Sequence, residues 1–155
     1  MKEGVVALLV SCILLGGAMD IRAGDIAAMR KVTDSLCRAY AFDSAIVISQ
    51  LTLREAEKQL AEEDTTIGAI LFELGYLYQC KRDLVAAEPY AIRSLAIRRT
   101  LLGPDDLDVA MSLTLLSMIQ MDQNRLSEAL ISCTEVLRIR RANPNATSRE
   151  VAAAL

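Results

Sequence analysis

Histidine and tryptophan are absent from the 155 residues. Without histidine no side chain has an ordinary pKa close to neutral pH. That excludes His general bases, the serine and cysteine triads that use one, and His metal sites. The four cysteines form no Cys-x-x-Cys pair, which argues against a structural zinc site. Aromatic residues make up only 4%, so a core has to be built from Leu, Ile, Val, Ala and Met. That palette suits close helix packing better than sheets, which favour β-branched and aromatic residues. Three prolines and seven glycines leave room for long helices. A basic face is also missing: the formal charge is −3, which gives no general attraction for nucleic acid. Apolar sequence is plentiful instead. At 53% hydrophobic, the chain is far from a disordered composition and can build one compact domain with a real core.

The longest apolar run stands at the start. Lys2 opens a short n-region diluted by Glu3, residues 5–15 are almost wholly apolar, and Gly16, Gly17 and Ala18 follow before Asp20. This is the order of a secretory signal peptide, with cleavage expected after Ala18 or Ala23. The run is shorter than the roughly 20 residues that span a bilayer. Residues 1–23 are therefore read as a signal peptide, and the protein as exported, periplasmic or secreted. The competing readings are an uncleaved membrane anchor over residues 4–19, a lipoprotein box at Leu9-Val10-Ser11-Cys12, and a buried first helix.

From Asp25 onward apolar positions recur every 42 residues. Ala45, Ala87 and Ala129 keep that spacing, as do Leu53, Leu95 and Leu137, and Ile67, Val109 and Val151. Each unit reads as two helices. In the clearest one, Ile67, Ile70, Leu71, Leu74, Leu77 and Tyr78 recur at three- and four-residue spacing over about residues 66–81, which puts them on one face. A polar turn at Lys81-Arg82-Asp83 leads to a second helix over about 84–102. Gly103 and Pro104 stop it, and Asp105 or Asp106 can cap the next helix. Gly75 and Ala87 are expected to let the two backbones approach closely. A single hairpin cannot bury its apolar face, so the units must stack. The expected organisation is a repeat domain over 24–155, with units at about 25–62, 66–102 and 107–141 and the start of a fourth at 148–155.

Leu71, Leu74-Gly75 and Tyr78, followed by Ala87 and Leu95, resemble the tetratricopeptide signature. The 42-residue spacing, with residues 86–98 followed by 102–110, is similar to the kinesin-light-chain-like variety. The resemblance is weaker at both ends. In the third unit Ser117 stands for the packing glycine and Gln120 for the aromatic, and in the first unit Thr33 and Leu36 hold those places. The resemblance implies an all-α, right-handed superhelical solenoid of helix-turn-helix repeats. It also implies protein–protein recognition, through a concave groove lined by the first helix of each pair. Helix membership then nominates Asp34, Arg38, Glu73, Tyr76, Gln79, Ser112, Met118, Gln120 and Met121 as partner contacts. No catalytic residue, cofactor or metal site is expected.

At the far end, Thr147-x-x-Glu150 has the pattern of a capping box, and residues 151–155 start a helix in register with 109–113. One helical turn is not stable alone. Either the sequence is a fragment of a longer protein or this last turn frays.

Other chemistry is weighed against plainer roles. Cys37, Cys80 and Cys133 read as small packing hydrophobes, with a Cys37–Cys80 disulfide as the alternative in an oxidising compartment. Asp105, Asp106 and Asp108 lack the further ligands of a calcium loop and read as caps. Arg93, Arg98 and Arg99, repeated as Arg138, Arg140 and Arg141, form either a basic stripe or, preferably, a solvated outer wall paired with acidic neighbours. Glu55, Glu57, Glu62, Glu63 and Asp64 read as a solvated face. Asn145-Ala146-Thr147 fits a glycosylation acceptor, although a plain loop explains it as well.

Together these readings describe an exported scaffold that binds a segment of another protein. A second reading is the recognition or sensory arm of a larger enzyme or signalling protein extending past residue 155. A third is a structural part of an envelope complex, or a homo-oligomer formed through the uncapped end, where an exposed apolar face would favour self-association.

Overall fold

The computed structural model describes residues 25–62 and 64–143. The expected signal peptide, the Asn145 acceptor and the helix start at 147–155 lie outside these residues. Among them are six helices and no strand: α1 (Ile26–Arg38), α2 (Phe42–Gln59), α3 (Thr65–Cys80), α4 (Leu84–Leu102), α5 (Leu107–Asp122) and α6 (Leu126–Ala142). They fall into two compact units, α1 and α2 in the first and α3 to α6 in the second.

Four of the six described helices begin where the sequence offers a side-chain acceptor for their unpaired N–H groups, whereas α2 and α6 have no side-chain cap. The carboxylates of Asp25, Asp64, Asp83 and Asp106 accept from the backbone N–H of Ala28, Thr66, Ala86 and Asp108 respectively. Within each hairpin one turn recurs. The N–H of Ala41, Asp83 and Arg125 donates to the carbonyl of the residue five earlier, at 2.9, 3.0 and 2.8 Å. The residue before each, namely Tyr40, Arg82 and Asn124, has positive φ. This is the wrapped helix ending in which one left-handed residue lets the last carbonyls find donors. Between hairpins, Gly103 follows α4 with φ 88° and ψ 163°, a conformation open in practice only to glycine.

In the second unit the core is a close seam between helices. Ala87 and Ala91 of α4 are fully buried. A Cβ placed on Gly75 of α3 would stand 3.3 Å from the Ala91 nitrogen, 3.4 Å from the Ala87 oxygen and 3.1 Å from Leu115 Cδ2. The absent side chain thus sets how closely α3 approaches both α4 and α5. Around this contact, Ala91 and Leu95 of α4 share one apolar cluster with Val109, Leu113 and Leu116 of α5, continued by Val136 and Ile139 of α6.

The position that packs α3 on α4 is filled differently in each hairpin. Tyr78 and Tyr90 stack, with centroids 5.6 Å apart and planes 5° from parallel. One period later, Ser132 Oγ donates to Gln120 Oε1 at 3.0 Å, both side chains buried. One period earlier stand buried Leu36 and Ile48. The small-residue position varies likewise. Where the second hairpin has Gly75 against Ala91, the first has Thr33 and Ser49, whose hydroxyls lie 3.2 Å apart and share a buried hydrogen bond.

Candidate partner-binding face

α3 and α5, the first helices of the two hairpins in the second unit, lie against each other. Their C-terminal ends are tied: Gln79 Nε2 donates to Asp122 Oδ2 at 3.3 Å, and Arg82 pairs with Asp122 at 2.7 Å. The Arg82 hydrogen bond, more than that of Gln79, holds the Asp122 carboxyl below its ordinary value.

The nominated contacts separate once placed. Tyr76, Met118 and Met121 are exposed, at 45%, 37% and 48%. Glu73 is half-buried on α3. Gln79 is half-buried and engaged with Asp122, so it serves the α3–α5 contact first. Asp34 and Arg38 are exposed on α1 in the first unit. Ser112 and Gln120 are not surface residues. Ser112 is fully buried among Ser94 and Arg98, and Gln120 is 6% exposed and accepts from Ser132. Ser112 faces α4 and Gln120 faces α6, so packing rather than binding fixes their roles.

Met111, overlooked from sequence, belongs with the exposed group at 40%. Its signal was the spacing, two turns before Met118 on the same helix face. Tyr76 and Met118 are one repeat apart. Adjacent first helices therefore display one row of exposed apolar side chains. Methionine is flexible and polarisable, and suits a surface that adapts to another protein.

The arginines of the second helices also separate. Arg99 pairs with Glu135 at 2.6 Å, and Arg138 pairs with Asp105, as expected for a solvated, charge-paired wall. Arg98 departs from that expectation. It is 4% exposed, donates to the Asp108 carbonyl and to Ser112 Oγ at 3.0 Å each, and lies over the Phe72 ring at 4.9 Å. Ser94 Oγ continues this chain to the Gly68 carbonyl at 2.7 Å. A buried guanidinium needs several partners, and here those partners come from α3 and α5, which α4 separates in sequence.

The acidic loop has structural roles. Asp106 caps α5, Asp105 pairs with Arg138, and Asp108 lies beside Arg98 at 3.9 Å. Arg125 bridges Glu128 and Glu88, and Gln123 also donates to Glu88 at 3.0 Å. Cys37, Cys80 and Cys133 are half-buried, and none of the three is joined in a disulfide.

Comparison with known proteins agrees with this architecture. The family model "Tetratricopeptide repeat" matches residues 66–142. Among curated proteins none matches. BtubC (BKLC) from P. vanneervenii has a similar structure, with a TM-score of 0.74 and 21% identity over 91% of this chain and 58% of that one. A kinesin-light-chain-like protein of Podosopora anserina with nearly identical TPR-like repeats gives a TM-score of 0.69 and 16% identity, over 79% of this chain and 58% of that one. The chain thus spans little over half the length of these solved proteins, and at such identities the likeness concerns the fold. Residues 66–142, nearly the whole of α3 to α6, thus match the tetratricopeptide repeat family, and the chain shares the all-α helical-repeat solenoid fold of these solved structures.

Proposed function

We propose that the protein is an exported binding scaffold that holds an apolar segment of another protein against the exposed face of α3 and α5. Tetratricopeptide repeats generally mediate protein–protein interaction, and scaffolds of this family are typically not enzymes. The row formed by Tyr76, Met111, Met118 and Met121 carries the reading. Single exposed apolar residues are ordinary, but a row along adjacent helices costs solvation unless something covers it. Export rests on the order of residues 2–20.

The test is capture from native envelope extract with the full chain as bait, beside a Tyr76→Ala/Met118→Ala variant. A protein retained by wild type and lost with the variant, at unchanged helicity and Tm, is the expected result. Equal retention by both baits sinks the assignment of this face. Export is read separately by fractionation and intact mass. The expected mature protein lacks the first 18 or 23 residues, and an unprocessed cytoplasmic chain contradicts it.

A further inference from the structure

Methionine is placed unevenly. Among the described residues it occurs as Met29, Met111, Met118 and Met121. Met29 is half-buried on α1, and no methionine is among the buried core residues. The other three are exposed on α5, at 40%, 37% and 48%. That helix is otherwise largely interior, with Ser112, Leu113, Leu115, Leu116, Ser117 and Ile119 buried. Its exposed residues are the three methionines and Asp122, and Asp122 is tied to Arg82 and Gln79. The large apolar residues exposed on α4 and α6, such as Val85, Ile92, Leu130 and Leu137, are instead all valine, isoleucine or leucine.

Of these exposed apolar groups, the thioether is the one that a peroxide oxidises readily. Hydrogen peroxide transfers an oxygen to the sulfur: the O–O bond breaks, an S=O bond forms, the sulfur gives up an electron pair and water leaves. The product is a polar, chiral sulfoxide, which sulfoxide reductases return to the thioether. In a core such a group would be buried without a partner. At exposed positions on α5 water solvates it, and the packing of the helix is retained. Against an apolar segment of another protein the same oxygen has to be desolvated without a donor.

We propose that Met111, Met118 and Met121 form a reversible oxidation site, at which a peroxide turns the face of α3 and α5 polar and releases what it holds, with the fold intact. The release rests on the binding function proposed above for this face; the oxidation and the intact fold do not. The three positions span about 15 Å of α5, and Met118 stands one repeat after Tyr76. Sulfoxides at all three therefore interrupt the apolar row along its length.

The full chain is treated with hydrogen peroxide, and each methionine is followed by peptide mass spectrometry. Met111, Met118 and Met121 are expected to take up oxygen several-fold faster than Met29, at unchanged helicity and Tm. An equal rate at Met29, or a Tm that falls as the three are oxidised, overturns the site. The oxidised chain then serves as bait for the protein that reduced wild type retains and the Tyr76→Ala/Met118→Ala bait does not. Its retention is expected to fall about tenfold, as for burial of unpaired polar groups. Methionine sulfoxide reductase with dithiothreitol should restore it, and dithiothreitol alone should not. Recovery with dithiothreitol alone assigns the loss to Cys37, Cys80 or Cys133 and overturns the proposal, as does undiminished retention by the oxidised bait. Equal retention by reduced wild type and the double-alanine bait overturns the binding function and the release with it, and the oxidation site is then decided by the rates and Tm.

Discussion

Tyr40, Arg82 and Asn124 have φ of 56°, 63° and 62°, and they stand one period apart. A left-handed residue other than glycine costs roughly 1–2 kcal/mol. The wrapped turn repays it by giving donors to carbonyls at the helix end. Only asparagine among the three signals that conformation by its type, which explains why the turn was read from sequence merely as polar. Gly103 is the converse case, where the residue type did announce the turn. No atom lies within 4 Å of a Cβ built on it, so space does not require glycine there. Its φ of 88° with ψ 163° does. Gly103→Ala is expected to cost about 1–3 kcal/mol, measured by urea unfolding. A neutral result would show that the α4–α5 connection relaxes to another backbone conformation.

At the scale of elements, each hairpin solves one packing problem with different chemistry. Tyr78 stacks on Tyr90, Gln120 bonds to Ser132, and Leu36 and Ile48 are apolar. The departures of Gln120, Thr33 and Leu36 from the repeat signature are thus matched by changes on the facing helix, as Thr33 with Ser49 also shows, whereas the Ser117 hydroxyl donates to the Thr114 carbonyl of its own helix. The seam at Gly75, Ala87 and Ala91 has no such freedom, because the atoms it would meet include backbone. Ala87→Leu should overpack it at a cost of roughly 1–3 kcal/mol. Gly75→Ala is expected to be destabilising too, although alanine favours the helical backbone. Thermal unfolding decides this: a raised Tm for Gly75→Ala would mean that α3 and α4 can part at little cost.

At the scale of the whole molecule, acid response follows from surface pairing. The Arg125 guanidinium holds the Glu128 carboxyl below its ordinary range, Arg82 and then Gln79 do so for Asp122, and Gln59 and then Lys58 for Glu55. A carboxyl whose pKa is lowered by folding binds its proton more readily in the unfolded chain. Its contribution is therefore full above the ordinary values of 3.8 for Asp122 and 4.5 for Glu128, and it is lost as pH falls through the lowered ones. These groups are exposed and screened, so the effect is modest. Tm should hold from neutral pH to about 4.5 and fall below it, with a shallower fall for Asp122→Asn/Glu128→Gln. An identical acid profile for that variant would place the loss in other carboxyls.

The sequence alone determined the all-α class, the repeat and the hairpin pairing, because helical periodicity and stacking act through residue type at fixed spacing. It also picked out Gly75 and Ala87, since a missing side chain at a constant register is visible as a letter. Which polar residues turn inward was decided only by the tertiary structure. Arg98 and Arg140 occupy the same register on successive second helices, yet Arg98 is buried among Phe72, Ser112 and Asp108 while Arg140 is exposed. Ser112 and Gln120 entered the core by the same route, and Met111 stayed outside it. Burial of a long or polar side chain depends on what the neighbouring helix supplies, and that neighbour lies a whole repeat away in the chain.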